Sequence, residues 1–444
     1  MAHNTQLDDK RRTVSELGRR MLQQGLTKGT GGNISVREDD RIAISPSGIP
    51  YDEIDPEDVP VIGLDGEQVD GDTDPSSESR MHAGIIRERD DVGAVVHTHS
   101  PYASTFASLD ESVLPSHYLI AFVGDEIPVA PYETYGTAEL AEAALGTLGD
   151  EYNACLLRNH GVIATGADAE AAYEVALMVE YVSRVHYQAL NAGDPEYLAD
   201  EEIADLTEIF EGYGQSASGN DTAVAPPPTD LRSEREAVAD LGREMLAQGL
   251  TEGTGGNIST RNGDRVAINP SGVPYEEIDP EDVPLVDING EQVAGELGAS
   301  SEKPMHLQIM RERDDVGAVV HTHSPYASTF ASLHEPIPAT HYLIAFAGKE
   351  VPVTPYEEPG SEELGTAAVD ALGDDHNACL LGNHGVITVG EDPESAFEVA
   401  LMVEYCARIH YQGQNIGEPT HLPDEELEHL FDRFSDRANT VGHK

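Results

Sequence analysis

Two histidines separated by one threonine, His97 and His99, close an apolar, β-branched run at Val92–Thr98, and the pattern returns unchanged as His321 and His323. The surrounding segment RERDDVGAVVHTHSPYASTFASL occupies both Arg87–Leu109 and Arg311–Leu333, an offset of 224 positions. Side chains of a strand alternate between its faces, so residues two apart share a face, and two imidazoles so placed can grip one metal ion. Such a pair needs a third donor. His160, in Arg-Asn-His-Gly, is the best candidate, because it also falls at a strand edge where the next glycine lets the backbone turn. Glu78, after Ser76-Ser77, offers a carboxylate, although an acid at a helix start also suits the positive end of the helix dipole. Three imidazoles and one carboxylate make a catalytic zinc set, in which three nitrogens hold the ion and the fourth position can be given up to substrate. Mn²⁺ and Co²⁺ fit the same donors.

An anion site is the second chemical signal. Gly29-Thr30-Gly31-Gly32-Asn33 exposes backbone N–H groups that can cradle phosphate without a basic side chain, and a helix C-cap accounts for such a run as well. Ser45-Pro46-Ser47-Gly48 and Ser76-Ser77 can converge on the same anion or serve as ordinary turns.

The elements that position these residues occur twice. SELGRRMLQQGLTKGTGGNIS from Ser15 matches ADLGREMLAQGLTEGTGGNIS from Ala239, and SHYLIAFVG from Ser116 matches THYLIAFAG from Thr340, all at the same offset. We therefore expect two homologous domains, 1–213 and 231–444, joined by a Gly/Ser/Pro-rich linker over 214–230. Within one copy the pattern predicts an opening helix over Leu17–Leu26 and short strands at Ile34–Ser35 and Arg41–Ile44. A helix follows with Ser76 or Ser77 as its N-cap, then a strand Val92–Thr98. Cys155–Arg158 and Val162–Thr165 read as a strand pair or one bent strand, and Asp168–Leu190 as a long helix capped by Asp168. Strands and helices mix without a strict βαβ rhythm, which predicts an α/β domain with a mixed, largely antiparallel sheet covered by helices.

Composition narrows the partners. The chain has 82 acidic and 26 basic residues, a net charge of −56, which excludes nucleic acid as a partner because a polyanion needs a basic face. Acid spread along a folded chain suits hydration in concentrated salt, where screening removes most self-repulsion, and we expect a halophilic, cytoplasmic protein. No apolar run reaches the roughly 20 residues of a membrane span, and MAHNTQLDDKRR has no apolar signal-peptide core. Cys155, Cys379 and Cys406 read as buried thiols.

In order along each half, GTGGNIS, SPSGIPY (NPSGVPY in the second half), SSE, HTH and NHG resemble the class II aldolase/adducin family. That resemblance implies an α/β/α fold and a zinc site of His97, His99, His160 and Glu78, repeated as His321, His323, His384 and Glu302. It implies phosphate binding by Asn33, Ser47, Gly48, Ser76 and Ser77, and by Asn257, Ser271, Gly272, Ser300 and Ser301. Tyr118 and its counterpart Tyr342 match a tyrosine that serves as proton donor across a subunit boundary. The implied reaction is reversible cleavage of a small ketose 1-phosphate, such as L-fuculose 1-phosphate, to dihydroxyacetone phosphate and a short aldehyde. Zinc stabilises the enediolate, and the glutamate acts as acid and base. A sugar-phosphate 4-epimerase or dehydratase is the rival within enzymes, and a non-catalytic adducin-like module the rival outside them. Relatives form four-membered rings, so a fused pair implies a dimer with pseudo-four-fold symmetry.

Overall fold

The computed structural model describes residues 2–211, 231–427 and 429–430, so the expected linker at 214–230 lies outside the described residues. The chain forms two compact units. One comprises Met1–Pro115 and Leu119–Arg184, and the other Ser116–Tyr118 and Val185–Lys444.

The first half runs α1 (Ala2–Gln23), β1 (Asn33–Glu38), β2 (Arg41–Ile44), β3 (Val61–Gly63), β4 (Gln68–Asp70), α2 (Ser79–Glu88), β5 (Ala94–Thr98) and α3 (Pro101–Leu109). It continues with β6 (Val129–Ala130), α4 (Ala138–Leu148), β7 (Ala154–Leu157), β8 (Gly161–Gly166), α5 (Ala169–Ala192) and α6 (Asp200–Glu211). Its sheet has the order β4-β3-β2-β1-β5-β8-β7-β6. All neighbours are antiparallel except β6 and β7. Cys155–Arg158 and Val162–Thr165 thus belong to an antiparallel pair, not to one bent strand.

The second half repeats the plan with α7 (Arg232–Ala247), β9 (Asn257–Asn262), β10 (Arg265–Ile268), β11 (Leu285–Asp287), β12 (Gln292–Ala294), α8 (Lys303–Glu312), β13 (Ala318–Thr322) and α9 (Pro325–Leu333). After these come α10 (Glu362–Leu372), β14 (Ala378–Leu381), β15 (Gly385–Gly390) and α11 (Pro393–Gln414). The sheet order is β12-β11-β10-β9-β13-β15-β14.

Helices cover both faces of each sheet because the central strands are apolar on both sides. In β13, Ala318 and Val320 pack with Val238 and Met245 of α7 and Phe397 of α11. Val319, facing the other way, packs with Met305 and Ile309 of α8 and Leu364 of α10. Each fully buried aliphatic side chain contributes about 1.5–3 kcal/mol, so the strand carrying the histidines is fixed from both sides. Alternation then assigns the histidine: His321 shares Val319's face and so looks toward α8, at whose start Glu302 stands. β5 and α2 repeat this, with Val95, Met81 and Ile85 in one cluster.

The start of α2 differs from the sequence expectation. Neither Ser76 nor Ser77 is the N-cap; Glu78 occupies that position and makes no side-chain cap bond. The Ser76 hydroxyl instead accepts the Glu78 N–H at 3.3 Å. A helix without a side-chain cap forgoes about 0.5–2 kcal/mol, and here the carboxylate is turned to the histidines. Asp168 does cap α5, accepting the Ala171 N–H at 3.0 Å.

Candidate metal centres and the residues around them

His97 is fully buried at the end of β5, paired across the sheet with Ile163 of β8 on one side and Asn33 of β1 on the other. Its Nδ1 lies 2.7 Å from the Val162 carbonyl, which fixes the tautomer with the proton on Nδ1 and leaves the Nε2 lone pair free. That Nε2 is 3.1 Å from Nε2 of His99 and 3.3 Å from Glu78 Oε2, while Glu78 Oε1 is 3.4 Å from His160 Nε2. The second half reproduces this. His321 Nδ1 lies 3.0 Å from the Val386 carbonyl, His321 Nε2 is 2.9 Å from His323 Nε2 and 3.5 Å from Glu302 Oε2, and Glu302 Oε1 is 3.3 Å from His384 Nε2.

The donor set fits a divalent ion. Bonds of about 2.0–2.1 Å at tetrahedral angles put zinc-bound nitrogens roughly 3.3 Å apart. The ligating atoms of His97, His99 and His160 all fall within 4.8 Å of one another, as do those of His321, His323 and His384. Among the described residues, Glu78 Oε1, Glu302 Oε1 and His384 Nε2 are buried without a hydrogen-bond partner, which a cation would satisfy. Burial first, with Glu78 opposing and the His99 and His160 imidazoles adding, holds His97 down to about 3. Burial and neighbouring imidazoles push His99 down, and push His323 and His384 well down. Neutral imidazole is the ligating form. Burial pushes the Glu78 carboxyl up, but His97, the Asn33 amide and His160 outweigh it and leave it below its ordinary value.

Glycines let these rings approach. A Cβ at Gly31 would stand 2.8 Å from His99 Nδ1, and one at Gly255 2.8 Å from His323 Nδ1. At Gly161 it would meet the Thr98 carbonyl at 2.3 Å and His99 Cδ2 at 2.9 Å.

The expected phosphate residues divide into two groups. Ser47 and Gly48 are brought beside Ser76 and Ser77 by the Pro46–Pro75 bridge, with Ser47 N–H bonded to Asp74 and Ser76 N–H to Ser45. The second half does the same: Pro270 pairs with Ala299, Ser271 N–H bonds to Gly298 and Ser300 N–H to Asn269, with Gly272 and Ser301 next in each turn. Asn33 and Asn257 stand apart from these turns in their bonding, each giving its Nδ2 to a glutamate: Glu78 at 2.9 Å and Glu302 at 2.6 Å.

The tyrosines are not equivalent. Within the second unit, the Tyr118 hydroxyl is 3.2 Å from His323 Nε2 and its ring centroid 4.2 Å from that of His384. Tyr342 is 48% exposed.

Sequence reasoning missed two supports. The Glu180 carboxylate accepts the Tyr102 and Ala103 N–H groups at 3.0 Å, anchoring α3 just after the histidines, and Glu404 does the same for Tyr326 and Ala327. The signal was an acid inside the apolar stretch ALMVEY of each long helix. Tyr51 and Tyr275 donate to the Gly32 and Gly256 carbonyls at 2.6 Å, tying the glycine-rich loops down; nothing in the spacing announced them.

A duplicated α/β domain with three histidines and a carboxylate at one end of its central strands has the build of a metal-dependent lyase. The chain belongs to the class II aldolase and adducin N-terminal domain family, which matches residues 12–187 and again 236–411. The 5-deoxy-D-ribulose 1-phosphate aldolase of Bacillus thuringiensis serovar kurstaki is 48% identical over 206 residues, 46% of this chain and 96% of that protein. The 5-methylthioribulose-1-phosphate/5-deoxyribulose-1-phosphate aldolase of Rhodospirillum rubrum is 40% identical, covering 47% and 93%. The L-fuculose phosphate aldolase of Escherichia coli K12 is 39% identical, covering 44% and 90%. A solved L-fuculose 1-phosphate aldolase shares 41% identity over 47% of this chain and 98% of its own, with a TM-score of 0.45. Family and relatives together make the chain a class II aldolase, and no helix among the described residues is long and apolar enough to cross a membrane.

Proposed function

We propose that each half reversibly cleaves a small deoxyketose 1-phosphate, of the 5-deoxyribulose or L-fuculose kind, to dihydroxyacetone phosphate and a short aldehyde. The observation that carries this reading is the repeated donor set: three imidazoles within ligand distance of one another and a glutamate against two of them, in both halves. His97, His99, His160 and Glu78 would hold one zinc ion, and His321, His323, His384 and Glu302 a second. Bound there, the metal supplies Lewis-acid polarisation of the ketose carbonyl and offsets the charge that develops on carbon–carbon cleavage.

The chain's own groups do the rest. Asn33, Ser47, Gly48, Ser76 and Ser77, with their second-half counterparts, hold the phosphate through amide, hydroxyl and backbone N–H groups, as an acidic chain must. In cleavage Tyr118, as the phenolate, takes the proton from the hydroxyl on the carbon that becomes the aldehyde. Glu302, in its protonated form, gives one to the carbon next to the carbonyl, the proton then passing from tyrosine to glutamate through solvent to reset both. In the synthetic direction the same two groups exchange roles. The Tyr118 hydroxyl beside His323 supports this for the second site. For the first site, Glu78 and Tyr342 have the same roles, with Tyr342 supplied by a second chain. The assembly is then a dimer of two-domain chains, 1–213 and 231–444, joined through 214–230.

The acidic composition supports work in a salt-rich cytoplasm, so the assay belongs in molar salt. Incubation with 5-deoxyribulose 1-phosphate or L-fuculose 1-phosphate is expected to release triose phosphate, with two zinc ions per chain by metal analysis. An isomerised ketose without triose phosphate would favour the epimerase; absence of metal and of any turnover would favour the adducin-like module. Light scattering that finds an active monomer would remove the dimer.

A further inference from the structure

Resting on the phosphate reading above, we infer that Tyr51 and Tyr275 are positioning residues for the substrate phosphate, each locking a glycine-rich loop to the serine–glycine turn of its own half. Tyr51 lies three residues beyond Gly48 and Tyr275 three beyond Gly272, so each belongs to the turn segment. Both side chains are buried, at 2% and 1% exposure. Each hydroxyl crosses 19 positions of sequence to donate to a loop carbonyl at 2.6 Å, Tyr51 to that of Gly32 and Tyr275 to that of Gly256. The rings have no room to swing away. Gly18 of α1 backs the first and Gly242 of α7 the second, where a Cβ would stand 2.8 Å and 2.7 Å from the ring's Cε1.

The bond decides how the loop presents its amides. Gly32 and Gly256 stand at φ of 70° and 71°, a region that favours glycine, and glycine is also the residue whose backbone turns most freely. The peptide unit is planar, with its C=O and N–H pointing opposite ways, so holding the Gly32 carbonyl also sets the direction of the Asn33 N–H. Gly256 and Asn257 obey the same rule. The loop also abuts the histidine strand: a Cβ at Gly32 would stand 2.5 Å from the His97 carbonyl, and one at Gly256 2.6 Å from that of His321. Each loop is thus seated against both a tyrosine hydroxyl and the backbone that carries the metal donors. Amides fixed before the anion arrives spare the ordering that binding otherwise costs, and a chain of net charge −56 has few cations to offset that cost. Burial first, with a Ser45 hydrogen bond opposing and the Glu78 charge adding, pushes ionisation of the Tyr51 hydroxyl up and keeps it a donor.

The test removes only the two hydroxyls, with Tyr51→Phe and Tyr275→Phe made together in the full, metal-loaded chain. Inorganic phosphate, titrated calorimetrically in constant molar salt, should bind this variant about three- to tenfold more weakly than wild type, the loss that one hydrogen bond sets. Zinc affinity, read by chelator competition, should stay within about twofold, because strand register and the Val162 and Val386 carbonyls hold His97 and His321 independently. With a ketose 1-phosphate the KM should rise by the phosphate factor while kcat stays within about twofold, the mark of binding lost equally from substrate and transition state. Gly18→Ala with Gly242→Ala, which presses on the ring and leaves the hydroxyl in place, should weaken phosphate in the same way. A phenylalanine variant of lowered stability that binds phosphate as wild type does would overturn the inference, as would one that loses zinc and phosphate alike. Wild type that binds phosphate but releases no triose phosphate sinks the aldolase reaction and leaves this comparison readable. Wild type that binds no phosphate sinks the anion site and the inference together.

Discussion

In the first half of the chain His99 is exposed and His160 half-buried, whereas their counterparts His323 and His384 are 3% and 0% exposed. The donor atoms and their spacing match in the two halves, so the difference lies in what covers them. Over His323 and His384 the second unit carries Tyr118, whose backbone N–H bonds to the Asn383 carbonyl at 2.9 Å, while Asn383 Nδ2 donates to the Ser116 carbonyl at 3.0 Å. His117 adds a second ring to this cover, its centroid 6.1 Å from that of His323. Inner donors are held by strand register and a fixed tautomer, which tolerate little change. The cover of the second site lies within the same chain, whereas the proposed dimer supplies that of the first site from a second chain, so in the single chain His99 and His160 stand more open.

The sharpest way to break the comparison is to remove one centre at a time. His97→Ala should lower zinc to one ion per chain and leave the second site working; His321→Ala should do the reverse. The double variant should lose cleavage by at least about a thousandfold, matching the several kcal/mol a Lewis acid contributes. If both halves turn over, the single variants each retain part of the rate. If the covered site alone works, His321→Ala resembles the double variant in a triose-phosphate assay.

Next in size is the hydroxyl. Tyr118→Phe should reduce cleavage by the second site about 10²–10⁴-fold with zinc content unchanged, the range expected for a lost proton-transfer group. The His97→Ala background isolates that site. Tyr342→Phe, read in the His321→Ala background, should harm only the first site. On the proposed dimer, in which its tyrosine belongs to a second chain, that site's rate should also fall on dilution in the parent. Equal losses from either tyrosine at either site would end the distinction.

Much of the donor set was legible because metal ligation demands particular residue types at particular spacings. His-x-His on an apolar run, a third histidine before glycine and an acid after paired serines are such constraints. The largely antiparallel sheet could be read from mixed strand and helix patterns for the same kind of reason. What escaped were bonds whose partners lie far apart in sequence. Asn33 meeting Glu78, Glu180 meeting the start of α3 and Tyr51 meeting Gly32 span 45, 78 and 19 positions, and no local pattern encodes them. The N-cap of α2 was misplaced because serine is the better cap by propensity, while the glutamate's contacts with the histidines decide the matter. The difference in cover was also unreadable, since His117 and Tyr118 precede sites that only folding assigns to them.

Acid should act on both halves through a matched pair of histidines. His82 Nδ1 lies 2.7 Å from the Ser35 hydroxyl, and His306 Nδ1 2.7 Å from that of Ser259. Burial, opposed by Glu78, holds His82 down to about 4; burial, reinforced by His321, holds His306 down to about 3. A histidine lowered from 6.5 in the folded state takes up its proton mainly on unfolding. Its stabilisation is therefore complete above about pH 6.5 and falls as the pH drops toward the folded value. Each unit of pH in that window costs up to about 1.4 kcal/mol per histidine. Denaturant titrations in constant salt should show the His82 and His306 contributions falling alike from pH 6.5 to about 4, with that of His306, like that of His97, still falling below that. His82→Asn and His306→Asn should each flatten the acid limb; slopes unchanged by either would rule these histidines out as its source.

The smallest effect concerns how one cover was rebuilt. In the first half Arg158 pairs with Asp110 at 3.1 Å, both side chains nearly half exposed. At the same places the second half has Gly382 and His334, and the His334 Nε2 lies 2.6 Å from Asn383 Oδ1. Space limits the return of an arginine: a Cβ at Gly382 would stand 2.8 Å from the Thr354 carbonyl and 2.9 Å from His334 Cε1, so both the imidazole and the Thr354 backbone would have to shift. An exposed ion pair contributes about 0–1 kcal/mol, and Arg158→Gly should cost no more than that in a denaturant titration, with the first site unaffected. His334→Ala should cost about 1–3 kcal/mol, because it strips a partner from Asn383, which is 2% exposed and sits at a φ of 54°. It should also slow the second site severalfold, because Asn383 holds the Ser116 and Tyr118 backbone over the histidines. A loss of stability with no change in the second site's rate would show that the His334–Asn383 bond supports the fold of that half but not the placement of Tyr118.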